Sequence, residues 1–340
     1  MKIQKIQLEN PLDMHLHLRE GAMLEAVLEH TSKAFVGAVV MPNLLDPIDS
    51  TQKALNYGNK IQSIAPNFTP FLTLYITEKL NAKELEKARN VDIKLLKLYP
   101  KGATTNSSAG LDQILTPSFL ELLSAAQDLG FILCIHGESN GFVLEREAEF
   151  GSVFSTLSSK FPKLKIIIEH MSDLRSVKLI NDLPNIFATI TLHHMLLTLD
   201  DLLGGHLDPH SFCKPVVKTP KDREALLELA LNAHPKVSFG SDSAPHLRAL
   251  KHSKNAPAGV FSAPFLLERL ATLFDKHNKL DNLQAFVSSN AQKIYDLNFT
   301  SKRIVTLEKC EPYNVGGELK FSEGEVEIMS GICDFKVSSF

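Results

Sequence analysis

Lys165-Ile166-Ile167-Ile168-Glu169-His170 is apolar at both parities and then turns polar. A strand with one face in water alternates apolar and polar residues. One that is apolar on both faces is covered on both, as in a parallel sheet flanked by helices. Comparable short β-rich runs stand at 12–18, 37–41, 68–75, 93–98, 131–136, 186–192 and 237–240, which with 165–170 makes eight. Amphipathic stretches lie between them at 23–33, 50–63, 82–89, 117–129, 141–161, 172–183 and 222–232. Thr116-Pro117 reads as a helix start, with a capping hydroxyl and a proline in the first turn, and Gly130 as the stop before the next strand. Eight strands alternating with helices predict an α/β fold, a closed (β/α)8 TIM barrel, with an open doubly wound sheet as the alternative. Helices at 261–276 and 282–295 would close it. The tail from 300 to 340 predicts short β segments packed on the barrel, turning at Gly316-Gly317 and Gly324, so 1–340 reads as a single domain.

Bulk properties narrow the function. Apolar content of 44% and charged content of 22% are those of an ordinary soluble protein. A net charge of −3 with no Lys/Arg cluster argues against nucleic-acid binding. The basic start, Lys2 to Lys5, is not followed by a continuous apolar run, so no signal peptide is expected. No uncharged apolar run is long enough to span a membrane. Four scattered cysteines, Cys134, Cys213, Cys310 and Cys333, fit a reducing cytoplasm rather than a disulfide framework.

The polar residues at the strand ends carry the chemistry. In Leu12-Asp13-Met14-His15-Leu16-His17-Leu18-Arg19, the strand period of two points His15 and His17 the same way, so both can reach one metal ion. Asp13 shares their parity and is expected to hold a ligand histidine in its tautomer, while Arg19 continues along the same face. His136, His170 and Asp242 end later strands, and Lys97 sits inside one. Each alone reads as a hydrogen-bonded core or turn residue. One barrel would gather all six at its mouth, and imidazole with carboxylate suits zinc or a similar divalent ion.

A protonated Lys97 beside metal cations would be strongly unfavourable. A neutral amine that has taken up carbon dioxide is an anionic carbamate with two oxygens, able to bridge two metals. Lys94 is the alternative position, nearer the start of the strand. With this bridge, His15, His17, Asp242 and carboxylated Lys97 surround one metal, and His136, His170 and the same carbamate the other. A hydroxide shared by the two ions completes both shells as the nucleophile. Asp242 would take its proton and pass it to a leaving nitrogen.

His15-Leu-His17-Leu-Arg19, Met41-Pro42-Asn43, the run from Lys97-Leu-Tyr-Pro to Ala-Thr-Thr-Asn-Ser107, His136-Gly-Glu138, Glu169-His170 and Gly240-Ser-Asp-Ser-Ala-Pro-His246 resemble the amidohydrolase superfamily. More narrowly they resemble its short, monofunctional bacterial dihydroorotases, in order from about residue 10 to the helix near Asn290. The resemblance implies two zinc ions per subunit bridged by carboxylated Lys97 and a hydroxide, with Asp242 both ligand and proton carrier. It implies that Arg19, Asn43 and His246 bind the substrate carboxylate. Backbone groups of Lys214 and Ala258 would hold the ring amide edge, and Thr104 and Thr105 would ride on a loop that closes over it. Lys214 departs from the apolar residue expected there. The family reaction is the reversible cyclisation of N-carbamoyl-L-aspartate to L-dihydroorotate in pyrimidine synthesis, and a homodimer is implied with it.

Three rivals share parts of this pattern. A hydantoinase or allantoinase would use the same metals, but its neutral ring would leave the Arg19–Asn43–His246 anion site unpaired. A non-catalytic scaffold should have lost metal ligands, and all six positions are filled. A phosphoester hydrolase acting on a neutral triester has no use for a carboxylate clamp.

Overall fold

The computed structural model describes residues 4–340, so Lys2 of the basic start lies outside the described residues. Among the described residues, eleven strands form two sheets. We number them β1 Lys5–Glu9, β2 Leu12–Leu16, β3 Gly37–Val40, β4 Thr69–Tyr75, β5 Leu95–Leu98, β6 Ile132–Ile135, β7 Lys165–Ile168, β8 Ile186–Ile190, β9 Val237–Phe239, β10 Ile304–Phe321 and β11 Gly324–Ser339. β2 to β9 run parallel in sequence order, and these are the eight strands expected. The open-sheet alternative fails at the seam. The Asp242 N–H donates to the His15 carbonyl at 2.8 Å and the His17 N–H to that of Ser243 at 3.1 Å, so β2 meets the end of β9 and the barrel closes.

Strand parity divides the core. Leu96, Leu98, Leu133, Ile135, Ile166 and Ile168 face the helices in one large cluster. Leu95, Ile132, Cys134 and Ile167 join Met14, Val39 and Tyr295 in a second cluster. Lys97 and His136 lie two residues beyond Leu95 and Cys134, on the same parity and nearer the carboxyl ends. That step converts a packed apolar floor into a polar mouth.

The helices Gly21–Ser32, Thr51–Ile64, Ala82–Asn90, Pro117–Asp128 and Pro220–Leu231 lie close to their expected positions. Thr116 accepts the Phe119 N–H at 3.3 Å as the N-cap, and Gly130 adopts φ +71° beyond the helix end. Two helices start late. Arg146–Lys160 begins after a loop at 141–145, and Ser176–Asp182 begins only after Ser172 and Asp173 have donated their backbone N–H groups to Glu147. The stretch expected at 282–295 contains a π-helical turn, Ala285–Ser289, before Asn290–Ile294.

The tail departs from expectation. It is one long antiparallel hairpin, β10 with β11, and β10 also pairs with β1, a strand absent from the expected set. Gly316 and Gly317 lie inside β10 at a register shift, with φ of +138° and +95°, so they bend the strand rather than end it. The hairpin reverses just before Gly324. Arg269, in the helix Leu266–Lys276, donates to the Met329 and Ser330 carbonyls of β11, each at 3.0 Å.

Candidate active site

The site forms where the seam closes. Asp13 lies opposite Ala38 and Leu16 opposite Val40, so β2 carries one extra residue there and its alternation breaks. Asp13 therefore does not share a face with His15, and it holds no ligand histidine by the ring. Its buried carboxylate accepts the Ser241 N–H at 2.7 Å, the Ser241 hydroxyl at 2.6 Å and the His15 backbone N–H at 3.2 Å. Asp13 pins the two ends of the seam together. Burial pushes its carboxyl up to about 6, against these three donors.

His15, His17 and Asp242 meet at this seam. The two Nε2 atoms are 3.4 Å apart, and Asp242 Oδ1 lies 3.4 Å from that of His15 and 3.0 Å from that of His17. Burial lowers His17 to about 3, which keeps its ring neutral. Burial works against ionised Asp242, but the His17 hydrogen bond and nearby histidines outweigh it and hold the carboxylate well below its usual range. Across the mouth, His136 Nδ1 stands 3.1 Å from His170 Nε2, and burial lowers both rings. Neutral imidazoles and an ionised carboxylate are the protonation states that bind a divalent cation.

Lys97 is fully buried, and its Nζ has no hydrogen-bond partner among the described residues. Burial pushes its amine below the usual lysine range, although Glu169, Cys134 and Asp242 oppose the shift. The nearest aromatic face is that of Tyr99, 4.9 Å from Nζ to the ring centroid. Lys94 instead reaches the Asp296 carbonyl at 3.1 Å, away from the mouth.

One pocket is lined by five of the six candidate ligands together with Arg19, Asn43, Thr104, Thr105, Lys214 and Ala258. Arg19 brings His246 to it, with Nη2 3.0 Å from His246 Nε2, and is itself anchored through Nε to the Pro245 carbonyl at 3.1 Å. The loop bearing Thr104 and Thr105 lies over this pocket. The Thr105 hydroxyl accepts the Ala258 N–H at 3.2 Å and faces its carbonyl at 3.1 Å, while Asn43 donates to the Thr105 carbonyl at 3.0 Å. Arg19, His170 and Asp242 all adopt positive φ, between +41° and +61°. Such backbone is costly for residues with a Cβ and clusters at functional sites.

Three further residues stand out. Glu169 takes the hydrogen bond of His15 Nδ1, and Glu138 lies 2.7 Å from His136 Nε2. The phenol of Tyr99 is buried in the pocket wall without a partner. Their sequence signals are thin, since an acidic residue beside or two residues from a histidine is common. A second buried group, His193, His194 and Cys213, also has metal-ligating atoms close together. Two of its members are already paired, His194 with Thr191 at 2.8 Å and with the Pro215 carbonyl at 2.9 Å, and Cys213 with that same carbonyl at 3.3 Å.

A closed parallel barrel with buried imidazoles and a carboxylate at the carboxyl ends of its strands defines a metal-dependent hydrolase barrel. Residues 12–299 match the amidohydrolase family, and the chain belongs to it. A dihydroorotase of Helicobacter pylori (strain J99) is 56% identical over 300 residues, 88% of each chain. The structure of a Campylobacter jejuni dihydroorotase superposes with a TM-score of 0.93 at 40% identity, covering 100% of this chain and 99% of that one. The Saccharomyces cerevisiae dihydroorotase in complex with 5-fluoroorotic acid gives 0.92 at 32% identity over 98% of both chains. The family is metal-dependent, in keeping with the buried ligand group. No described helix is long and apolar enough to cross a membrane, and the four cysteines are free.

Proposed function

We propose that the chain is a dihydroorotase, hydrolysing the cyclic amide of L-dihydroorotate to N-carbamoyl-L-aspartate and catalysing the reverse cyclisation in pyrimidine synthesis. The observation that carries this reading is the juxtaposition of a buried His15–His17–Asp242 cluster with an Arg19–His246 pair and Asn43 in one mouth. The donor chemistry fits metal. The neutral His17 imidazole faces an ionised carboxylate, and the buried Lys97 amine has no partner among the described residues.

His15, His17 and Asp242 would hold one zinc ion and His136 and His170 a second, with Lys97 between them as its carbamate. The orphaned Nζ, lowered by burial, is the state of a lysine able to take up carbon dioxide. When bound, divalent cations supply Lewis-acid polarisation of the amide carbonyl and a more acidic attacking water. Asp242 would serve as the proton carrier, taking a proton from the attacking water and giving it to the ring nitrogen as the C–N bond breaks. Arg19 offers its guanidinium fork to the free carboxylate, and Asn43 and His246 complete the clamp. The Ala258 backbone pair, engaged by the Thr105 hydroxyl in this structure, receives the ring amide edge together with backbone at Lys214. Thr105 and Thr104 then close on the substrate. The hairpin tail belongs to the same unit as the barrel, and the chain acts as a cytoplasmic homodimer.

Ultraviolet-monitored turnover of L-dihydroorotate, together with metal analysis of the same preparation, tests the reading. Metal-dependent ring opening is expected. Turnover that survives exhaustive chelation, or its absence from a zinc-loaded, carbon dioxide-treated chain, overturns it.

A further inference from the structure

Two buried carboxylates stand behind the ligand histidines, and they engage opposite ring nitrogens. Glu169 takes His15 at Nδ1, and its Oε2 also accepts the Thr189 hydroxyl at 3.1 Å, which fixes the carboxylate in place. The nitrogen left over is His15 Nε2, the atom that faces Asp242 Oδ1 at 3.4 Å. Glu138 takes His136 at Nε2, 2.7 Å away. What remains there is His136 Nδ1, the atom that faces His170 Nε2 at 3.1 Å. Both carboxylates are buried and neither lines the pocket, so neither is placed to touch substrate.

A neutral imidazole carries one N–H, and a carboxylate that accepts it leaves the other nitrogen's lone pair free for a cation. Glu169 is adjacent in sequence to His170 yet serves His15, which belongs to the other half of the site. The division is therefore by tertiary placement. Building on the dihydroorotase reading of the site, we propose that Glu169 and Glu138 are positioning residues that act on separate metal positions. Glu169 presents His15 through Nε2 to the position shared with His17 and Asp242, and Glu138 presents His136 through Nδ1 to the position shared with His170.

A residue that merely packs the site would loosen both positions together. Tautomer control loosens one at a time. The test uses the full-length, zinc-reconstituted chain labelled with 15N-histidine, with zinc affinity measured by chelator competition. In the wild type, the ring hydrogen is expected on Nδ1 of His15 and on Nε2 of His136. Glu169→Ala should weaken one zinc equivalent by about 10–100-fold, the usual effect of removing a partner behind a metal ligand, and Glu169→Gln should weaken it less. The signals of His15 and His17 should return to their metal-free positions first. Glu138→Ala and Glu138→Gln should do the same to His136 and His170. The Gln variants keep size and an acceptor oxygen, so the comparison survives if an Ala variant fails to fold. Equal loss at both positions, the same protonated nitrogen in both rings, or a change below ~3-fold in every variant, short of the usual effect, overturns the inference while leaving the dihydroorotase reading intact. A wild-type chain that binds no zinc overturns both.

Discussion

The barrel mouth and the C-terminal hairpin make opposite use of polar residues. At the mouth they are buried and incompletely bonded: Lys97 Nζ, His170 Nδ1, Asn43 Oδ1 and the Tyr99 hydroxyl have no partner among the described residues. Leaving such a group unsatisfied costs about 1–3 kcal/mol, so a cluster of them persists only where something else completes it. In the hairpin, most polar side chains lie outward along two long strands and pair at the surface with neighbouring segments, as Glu325 does with Arg248 at 3.2 Å and Glu308 with Lys5 at 2.6 Å. The backbone differs in the same sense. Non-glycine residues adopt positive φ at Arg19, His170 and Asp242, whereas the hairpin bends at Gly316 and Gly317, where that conformation is cheap. Among the described residues, four such atoms gather at the mouth, whereas the hairpin carries one, Asp334 Oδ1.

Substitutions at the mouth should therefore abolish chemistry, and those at the hairpin should change only stability. The largest effect is expected at Lys97. Lys97→Ala would remove the proposed carbamate bridge, so turnover and bound metal should both fall to background, with partial rescue by a short carboxylic acid. Normal metal content and full activity in the unrescued variant would show that no carbamate forms there. Asp242→Asn comes next. In the proposed role it would keep an oxygen for a metal but could not take the proton, so hydrolysis should drop by at least ~100-fold with much of the metal retained. The pH–rate profiles of the two directions, measured on one preparation, should have opposite limbs; profiles of the same sign would assign the proton to another group.

Arg19→Lys keeps the charge but loses the fork, and kcat/KM for dihydroorotate should fall by about 2 kcal/mol of transition-state stabilisation, within the range for a charged hydrogen bond. A change of less than about threefold, far below the worth of such a bond, would remove Arg19 from the clamp.

Acid separates the regions more gently. His17 is lowered to about 3 and His194 to about 4 by burial, and His136 and His170 are lowered as well, whereas β10 and β11 contain no histidine. The unfolded chain takes up protons at these rings near pH ~6.5 while the fold does not, so stability should decline as pH drops below that value. The Tm of the metal-free chain should thus fall between about pH 7 and 4.5, and a flat profile would contradict the neutral, buried state of these rings.

The smallest effect on activity is expected at Arg269→Ala. It breaks two bonds to the Met329 and Ser330 carbonyls and should lower Tm while leaving kcat/KM unchanged. An equal fall in activity would mean that the hairpin is coupled to the mouth.

Much of this architecture is set by local pattern. The eight barrel strands follow from short β-rich runs, several of them apolar at both parities, and Lys97, His136 and Asp242 from polar residues standing within such runs or where they end. Period and burial are properties of consecutive residues, so the chain determines them by itself. Contacts between distant segments were decided only by the tertiary fold. The extra residue in β2 turns Asp13 away from His15 and onto Ser241, 228 positions later. Glu169 reaches His15 across 154 positions, and Thr105 reaches Ala258 across 153. The strand Lys5–Glu9 is polar and half-exposed on its own, and it becomes a strand because β10 supplies its hydrogen bonds. A hydrogen-bond partner is selected by three-dimensional proximity, which no local period encodes, and so the chain alone determined which residues could serve the site while the closed barrel decided which of them meet.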